Sequence, residues 1–119
     1  MSENIIFEKR NNIGIITLNR ENVLNAWNKD MRFKICNIFN KIKTKKDIKA
    51  VVITGSGKKA FCAGQDLNEL KNFNEKQIDS WIDEFEKVYT SIRSAEIPTI
   101  GAINGIAAGS GFQLALLTD

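Results

Sequence analysis

The sequence of 119 residues contains no histidine. That absence removes the side chain most often used for proton transfer near neutral pH, and also the commonest metal ligand. Ser-His-Asp and Cys-His catalysis are therefore excluded within this chain. Cysteine is scarce as well: Cys36 and Cys62 show no CxxC or Cys/His spacing, which argues against a disulfide scaffold or a zinc site. No metal is expected, and a reducing compartment fits. No run approaches the roughly 18 apolar residues that span a bilayer, and "MSENIIFEKR" has no long apolar signal region, so the expectation is a cytoplasmic protein with no membrane partner. Neither sign of charge dominates. The balance of 17 basic and 14 acidic side chains, net +3, is too mild to argue for nucleic acid.

What is present has the size and apolar share of one ordinary domain with a modest core, expected to span residues 1–119. In "IIFEKRNNIGIITLNR", two β-favouring runs flank Asn11 and Asn12, which tolerate left-handed turn conformations; a hairpin over 4–10 and 13–18 follows. From Asn28 to Lys43, Met31, Ile35, Ile38, Phe39 and Ile42 recur at helical spacing, with Asn28 as cap. "AVVITG" at 50–55 reads as a strand buried on both faces, with "SGKKAFCAGQD" as its exit loop. A second helix over 75–94 carries Ile78, Trp81, Ile82, Phe85, Val88, Tyr89 and Ile92 on one side, and Pro98 breaks the chain after it. "TIGAING" repeats the strand-to-turn pattern of "AVVITG" and leads into a helix from about Gly111, so a ββα-like unit is used twice.

Lys41, Lys43, Lys45, Lys46 and Lys49, with Lys58 and Lys59, form a basic stretch. It reads either as a solvated helix end complementing the macrodipole or as a surface for a phosphate-bearing ligand. "GSGKK" is not a phosphate-binding loop, because the required first glycine falls at Val52 and Lys59 follows Lys58 where Ser or Thr is needed. "GSGFQL" is not a dinucleotide fingerprint, because Leu114 takes the third glycine position.

Three separated segments remain: "NVLNAWN" at 22–28, "AFCAGQDL" at 60–67 and "AINGIAAGSGFQLALLTD" at 102–119. In order and spacing they closely resemble the diagnostic segments of the enoyl-CoA hydratase/isomerase (crotonase) superfamily. The resemblance implies an α/β, crotonase-like (ββα) spiral of which this chain is the N-terminal portion, without the C-terminal half and the trimerisation helices. It implies an acyl-CoA partner, a substrate carried as a coenzyme A thioester with no covalently bound cofactor, lyase or isomerase chemistry, and trimers or hexamers for full-length relatives. Negative charge that develops on a thioester oxygen can be held by two fixed backbone N–H groups. By the resemblance these are the N–H of Ala63 and the N–H of Ser110, the latter at a helix start where the dipole favours an anion. The resemblance also places Leu24, Ala26, Ala63, Gly64, Gln65, Asp66, Leu67 and Gly109 along the substrate and its coenzyme A, with the phosphates toward basic surface. Asp66 is either an acid or the cap of the short helix in "DLNEL", and Cys62, with no cation placed to lower its pKa, is expected to pack.

The resemblance breaks at Gln113. Hydratases of the superfamily have a glutamate there and a second further on; an amide can orient a water or a carbonyl but cannot serve as a base. "GFQ" instead resembles the carboxymethylproline synthase branch, which uses the same oxyanion hole to stabilise an enolate for carbon-carbon bond formation. Gln113 is thus either a catalytic-site residue of changed role or an amide bonding its neighbouring backbone. Ser110 replaces the usual middle glycine, which a negative φ would tolerate. Leu114, Leu116 and Leu117 are expected to form an apolar face short of partners, as in a truncated product. Two functions follow as expectations: an acyl-CoA enzyme with its proton-transfer residue elsewhere, or a non-catalytic remnant that binds acyl-CoA or a partner chain.

Overall fold

The computed structural model describes residues 3–119. Asn11, with φ 55°, turns the first hairpin, as its short polar side chain permits. Strands β1 (Ile5–Arg10) and β2 (Ile13–Leu18) pair antiparallel around it. Helix α1 (Lys29–Thr44) starts where the Asn28 side chain accepts the Met31 N–H at 3.1 Å and ends with Lys41 and Lys43 against the negative end of its dipole. It buries Met31, Ile35, Phe39 and Ile42. Each such side chain contributes about 1.5–3 kcal/mol relative to exposure. The lysines beyond it, from Lys45 to Lys49, are exposed, as a solvated helix end would be.

The helix returns the chain to β3 (Ala50–Gly55), parallel to β2, and β5 (Thr99–Ala102) adds parallel on its other edge, giving the order β1-β2-β3-β5. The expectation that β3 is buried on both faces is not met. Val51, Ile53 and Gly55 are buried, whereas Ala50, Val52 and Thr54 are only half-buried. Helix α1 and helix α3 (Glu75–Arg93) share one core with Ile16, Val51 and Ile53. On the other face, Ile15, Val52 and Ile100 line up across three strands in register.

Helix α3 opens on a reciprocal capping box between Asn74 and Gln77, after a short helix α2 (Leu67–Leu70) that Asp66 caps through the Asn68 N–H at 2.9 Å. Its apolar side is only partly covered. Phe85, Val88 and Ile92 are buried, but Ile78 and Ile82 are exposed, and Trp81 and Tyr89 are half-buried.

Two short strands escape the periodicity of the sequence. Residues read there as loop form β4 (Ala60–Cys62), which pairs parallel with β6 (Ile106–Ala107) in a separate small sheet. Helix α4 (Ser110–Leu117) lies directly on β4: a Cβ at Gly111 would sit 2.0 Å from the Cys62 carbonyl oxygen, so only glycine permits this approach. The expected unpartnered leucine face is corrected in one respect, since Leu114 is fully buried in the common core while Leu116 remains exposed. Asp119 ties the segment after α4 to β5, its N–H donating to the Thr99 carbonyl at 2.7 Å. Among the described residues, no helix is long and apolar enough to cross a membrane.

Candidate active-site cleft

Two loops meet at the mouth of the small sheet, and their conformation follows from a few obligatory hydrogen bonds. After a 3-10 turn at Glu21–Val23, Leu24 and Asn25 both adopt positive φ, near 56° and 57°, which reverses the chain. The buried Asn25 side chain holds this reversal. Its amide donates to the carbonyls of Ser56 at 3.0 Å and Ala60 at 2.9 Å, and its oxygen accepts from the Arg20 N–H at 2.9 Å. Segment 24–27 then zips in parallel against 63–66. Ala63 N–H donates to the Leu24 carbonyl, Trp27 N–H to the Gly64 carbonyl, and Asp66 N–H to the Trp27 carbonyl, all at 2.9–3.0 Å.

This pairing corrects the expectation for Ala63. Its N–H is spent on Leu24 at 3.0 Å and cannot serve as an oxyanion donor. In a parallel pairing alternate residues point their N–H groups to opposite edges, so the Trp27–Gln65 bridge leaves the Gln65 N–H facing away from Trp27. Among the backbone hydrogen bonds of the described residues, neither Gln65 N–H nor Ser110 N–H has an acceptor. Ser110 is the first residue of α4, where N–H groups have no intrahelical partner. Its φ is not positive, so its side chain is accommodated.

Gly64 brings the two segments together. With φ 114° and the Ala108 carbonyl only 3.0 Å from where its Cβ would stand, it occupies a place closed to other residues. The same added Cβ would lie 3.7 Å from the Ser110 nitrogen. A side-chain bond reinforces the junction: the fully buried Trp27 donates its indole N–H to the Ser110 hydroxyl at 2.8 Å.

A cleft of about 530 Å³ opens in front of these groups. Ala63, Gly64, Gln65, Gly109, Ser110 and Gln113 form one wall, and the uncovered face of α3, with Trp81, Ile82, Phe85 and Tyr89, forms the other. Leu67, at 77% exposure, stands at the rim. Leu24 and Ala26 do not line it; their carbonyls are taken by Ala63 N–H and by Arg20 respectively. Asp66 is also elsewhere engaged, accepting from Asn68 N–H and forming an ion pair with Arg20 at 3.0 Å, which places it as a cap. Gln113 does not bond neighbouring backbone; its side-chain oxygen accepts the hydroxyl of Tyr89 across the cleft. Tyr89 is the one titratable side chain in the lining, and burial pushes its pKa above the usual phenol value. Burial likewise pushes the Cys62 thiol up to about 11, against the opposing pull of the Gly64 and Trp27 backbone N–H groups, which leaves it an inert packing residue.

Sequence reasoning missed Arg32. It lies on the apolar side of α1 at 2% exposure, with Glu69 and Glu84 as ion-pair partners and its guanidinium 5.2 Å from the centre of the Phe85 ring. It also donates to the Gln65 side-chain oxygen at 3.2 Å, while the Gln65 amide donates to Glu69 at 3.1 Å. Arg32 thereby fastens the residue that carries one of the two free N–H groups. The signal for it is a cation directly beside Met31, inside an otherwise apolar stripe.

Comparison with known proteins bears on this arrangement. Residues 8–119 match the family model described as enoyl-CoA hydratase/isomerase. This chain belongs to the enoyl-CoA hydratase/isomerase family. Members similar to it include the short-chain-enoyl-CoA hydratase of Clostridium acetobutylicum, 34% identical over 98% of this chain and 44% of that protein. Carboxymethylproline synthase of Pectobacterium carotovorum is 31% identical over 97% of this chain and 47% of its own length. The crystal structure of enoyl-CoA hydratase from Bacillus anthracis superposes with a TM-score of 0.94 at 34% identity, over 98% of this chain and 46% of that one. The fold is therefore the crotonase fold of the enoyl-CoA hydratase/isomerase family, and the chain spans under half the length of the relatives it matches.

Proposed function

We propose that the cleft binds an acyl-CoA thioester and holds its carbonyl oxygen, as it gains enolate charge, between the N–H groups of Gln65 and Ser110. The observation that carries this reading is that these two backbone donors, unspent in the loops around them, lie on segments that Gly64 joins at one wall of the cleft. Fixed donors need no reorganisation as charge develops, and each is commonly worth about 3 kcal/mol of barrier. The positive end of α4 adds to the same field. Coenzyme A extends past Asp66 and Leu67, with its phosphates toward exposed lysines such as Lys58 and Lys59. Family membership supports lyase or isomerase chemistry for the reaction that uses the enolate.

Titration calorimetry tests this. Butyryl-CoA should bind more tightly than free coenzyme A, and Ser110→Pro, which removes the donor N–H together with the hydroxyl that accepts from Trp27, should shrink the difference beyond any change seen in Ser110→Ala, which removes the hydroxyl alone. Equal affinity for thioester and free coenzyme A would sink the proposal. A second reading, binding without turnover, is favoured by one observation: the residues lining the cleft include no carboxylate. Hydration of crotonyl-CoA by this chain should therefore be absent or very slow in a spectrophotometric assay. Rapid hydration would rule out the second reading.

A further inference from the structure

We infer that Tyr89 and Gln113 form a selecting pair for thioesters whose acyl chain carries a second, uncharged carbonyl oxygen, as in a 3-oxoacyl group. The inference rests on the acyl-CoA reading above and deepens it. The Tyr89 hydroxyl reaches across from α3 and donates to the Gln113 side-chain oxygen, which fixes the orientation of the amide. The amide nitrogen, with no partner among the described residues, then offers its N–H groups to the cleft; an acceptor on the ligand satisfies it and an alkyl chain does not. Because burial raises its pKa, the phenol keeps its proton through neutral and mildly alkaline pH, and Gln113 stays in this orientation.

Position and charge narrow the ligand. Gln113 follows Ser110 by three residues on α4, so the two share a helix face with Cβ atoms roughly 5–6 Å apart. The Gln113 amide stands beyond its own Cβ on a flexible stem, so from that shared face it can lean to the second oxygen of a 3-oxoacyl thioester whose first oxygen rests on the Ser110 N–H. The cleft lining holds no lysine or arginine, and Arg32, behind Gln65, is already engaged by Glu69 and Glu84. A ligand carboxylate would lose its hydration without gaining a cation, which is costly. A neutral carbonyl incurs no such penalty. Tyr89 acts here as a positioning residue for Gln113.

The test compares dissociation constants for butyryl-CoA, acetoacetyl-CoA and malonyl-CoA by calorimetry on the whole protein. Acetoacetyl-CoA should bind about tenfold more tightly than butyryl-CoA, the worth of one satisfied neutral hydrogen bond. Malonyl-CoA should bind no more tightly than butyryl-CoA. In Tyr89→Phe the preference should collapse to within about twofold. In Gln113→Glu, which keeps an acceptor for Tyr89 but turns lone pairs to the ligand, it should vanish or invert. These ratios are internal to each variant, so a general loss of stability does not mimic them. An acetoacetyl preference absent from the unmodified protein, or unchanged in both variants, overturns the pair while leaving thioester binding standing. Tight malonyl-CoA binding overturns the requirement for a neutral oxygen. Failure of every thioester to bind overturns this inference together with the proposed function.

Discussion

The two walls of the cleft are built on opposite principles. The loop wall, from Asn25 through Gly64 to Ser110, is a lattice of backbone hydrogen bonds pinned by buried polar side chains, with little room for any atom to be added. The α3 wall is apolar and underused: Ile82 is exposed, and the Trp81 indole N–H is buried without a partner among the described residues. One wall fixes where donors point; the other offers surface. Under the proposed function precise chemistry falls to the first and ligand fit to the second, so substitutions on them should separate into losses of stability and changes of preference.

The hardest break is Gly111→Ala. With 2.0 Å between the new Cβ and the Cys62 carbonyl oxygen, α4 must leave β4, and the loss should exceed about 4 kcal/mol in denaturant melts. Arg32→Met comes next, at about 3–4 kcal/mol, because Glu69 and Glu84 lose their shared cation. It should also release Gln65 and so weaken the thioester-dependent part of binding more than the part due to coenzyme A. Alkali probes the same wall more gently. The Cys62 thiol, raised from 9.0 to about 11 in the fold, holds its proton more tightly there than in the unfolded chain. Its contribution is complete below pH 9 and is lost as pH rises through about 11, a fall of about 3 kcal/mol. Cys62→Ala should flatten that fall, though Tyr89 acts in the same direction. At the small end stands Ile82→Ala on the other wall. At 52% exposure it should change stability by less than about 0.5 kcal/mol while weakening butyryl-CoA binding severalfold. If Ile82→Ala costs as much stability as Arg32→Met, the contrast between the walls is wrong.

The same contrast explains what could be read from residues alone. Elements with their own periodicity, such as α1, β3 and α3, were legible to within a residue or two, because their signals are local. Strands β4 and β6 were not; each is two or three residues long and exists by pairing across more than forty positions. The family was legible from three motifs whose spacing the fold enforces, yet the N–H expected to be free in "CAGQD", that of Ala63, is spent on Leu24. Which N–H is spent depends on the parallel partner at Leu24 and Trp27, and composition carries no trace of that pairing. Arg32 and Asn25 were missed because a lone charge or amide beside apolar residues reads as surface until its partners are seen.

The bond from Trp27 to Ser110 joins residues 83 positions apart. Contacts of such sequence separation form only after the intervening chain has been organised, since loop closure carries an entropic cost before the contact repays it. Hairpin and helices will thus assemble before the donors face one another, and in refolding the cleft should mature last. In a Trp81→Phe variant, Trp27 is the optical label for that moment: its fluorescence should reach the native value in a slower phase than far-ultraviolet circular dichroism, timing the closing of the cleft.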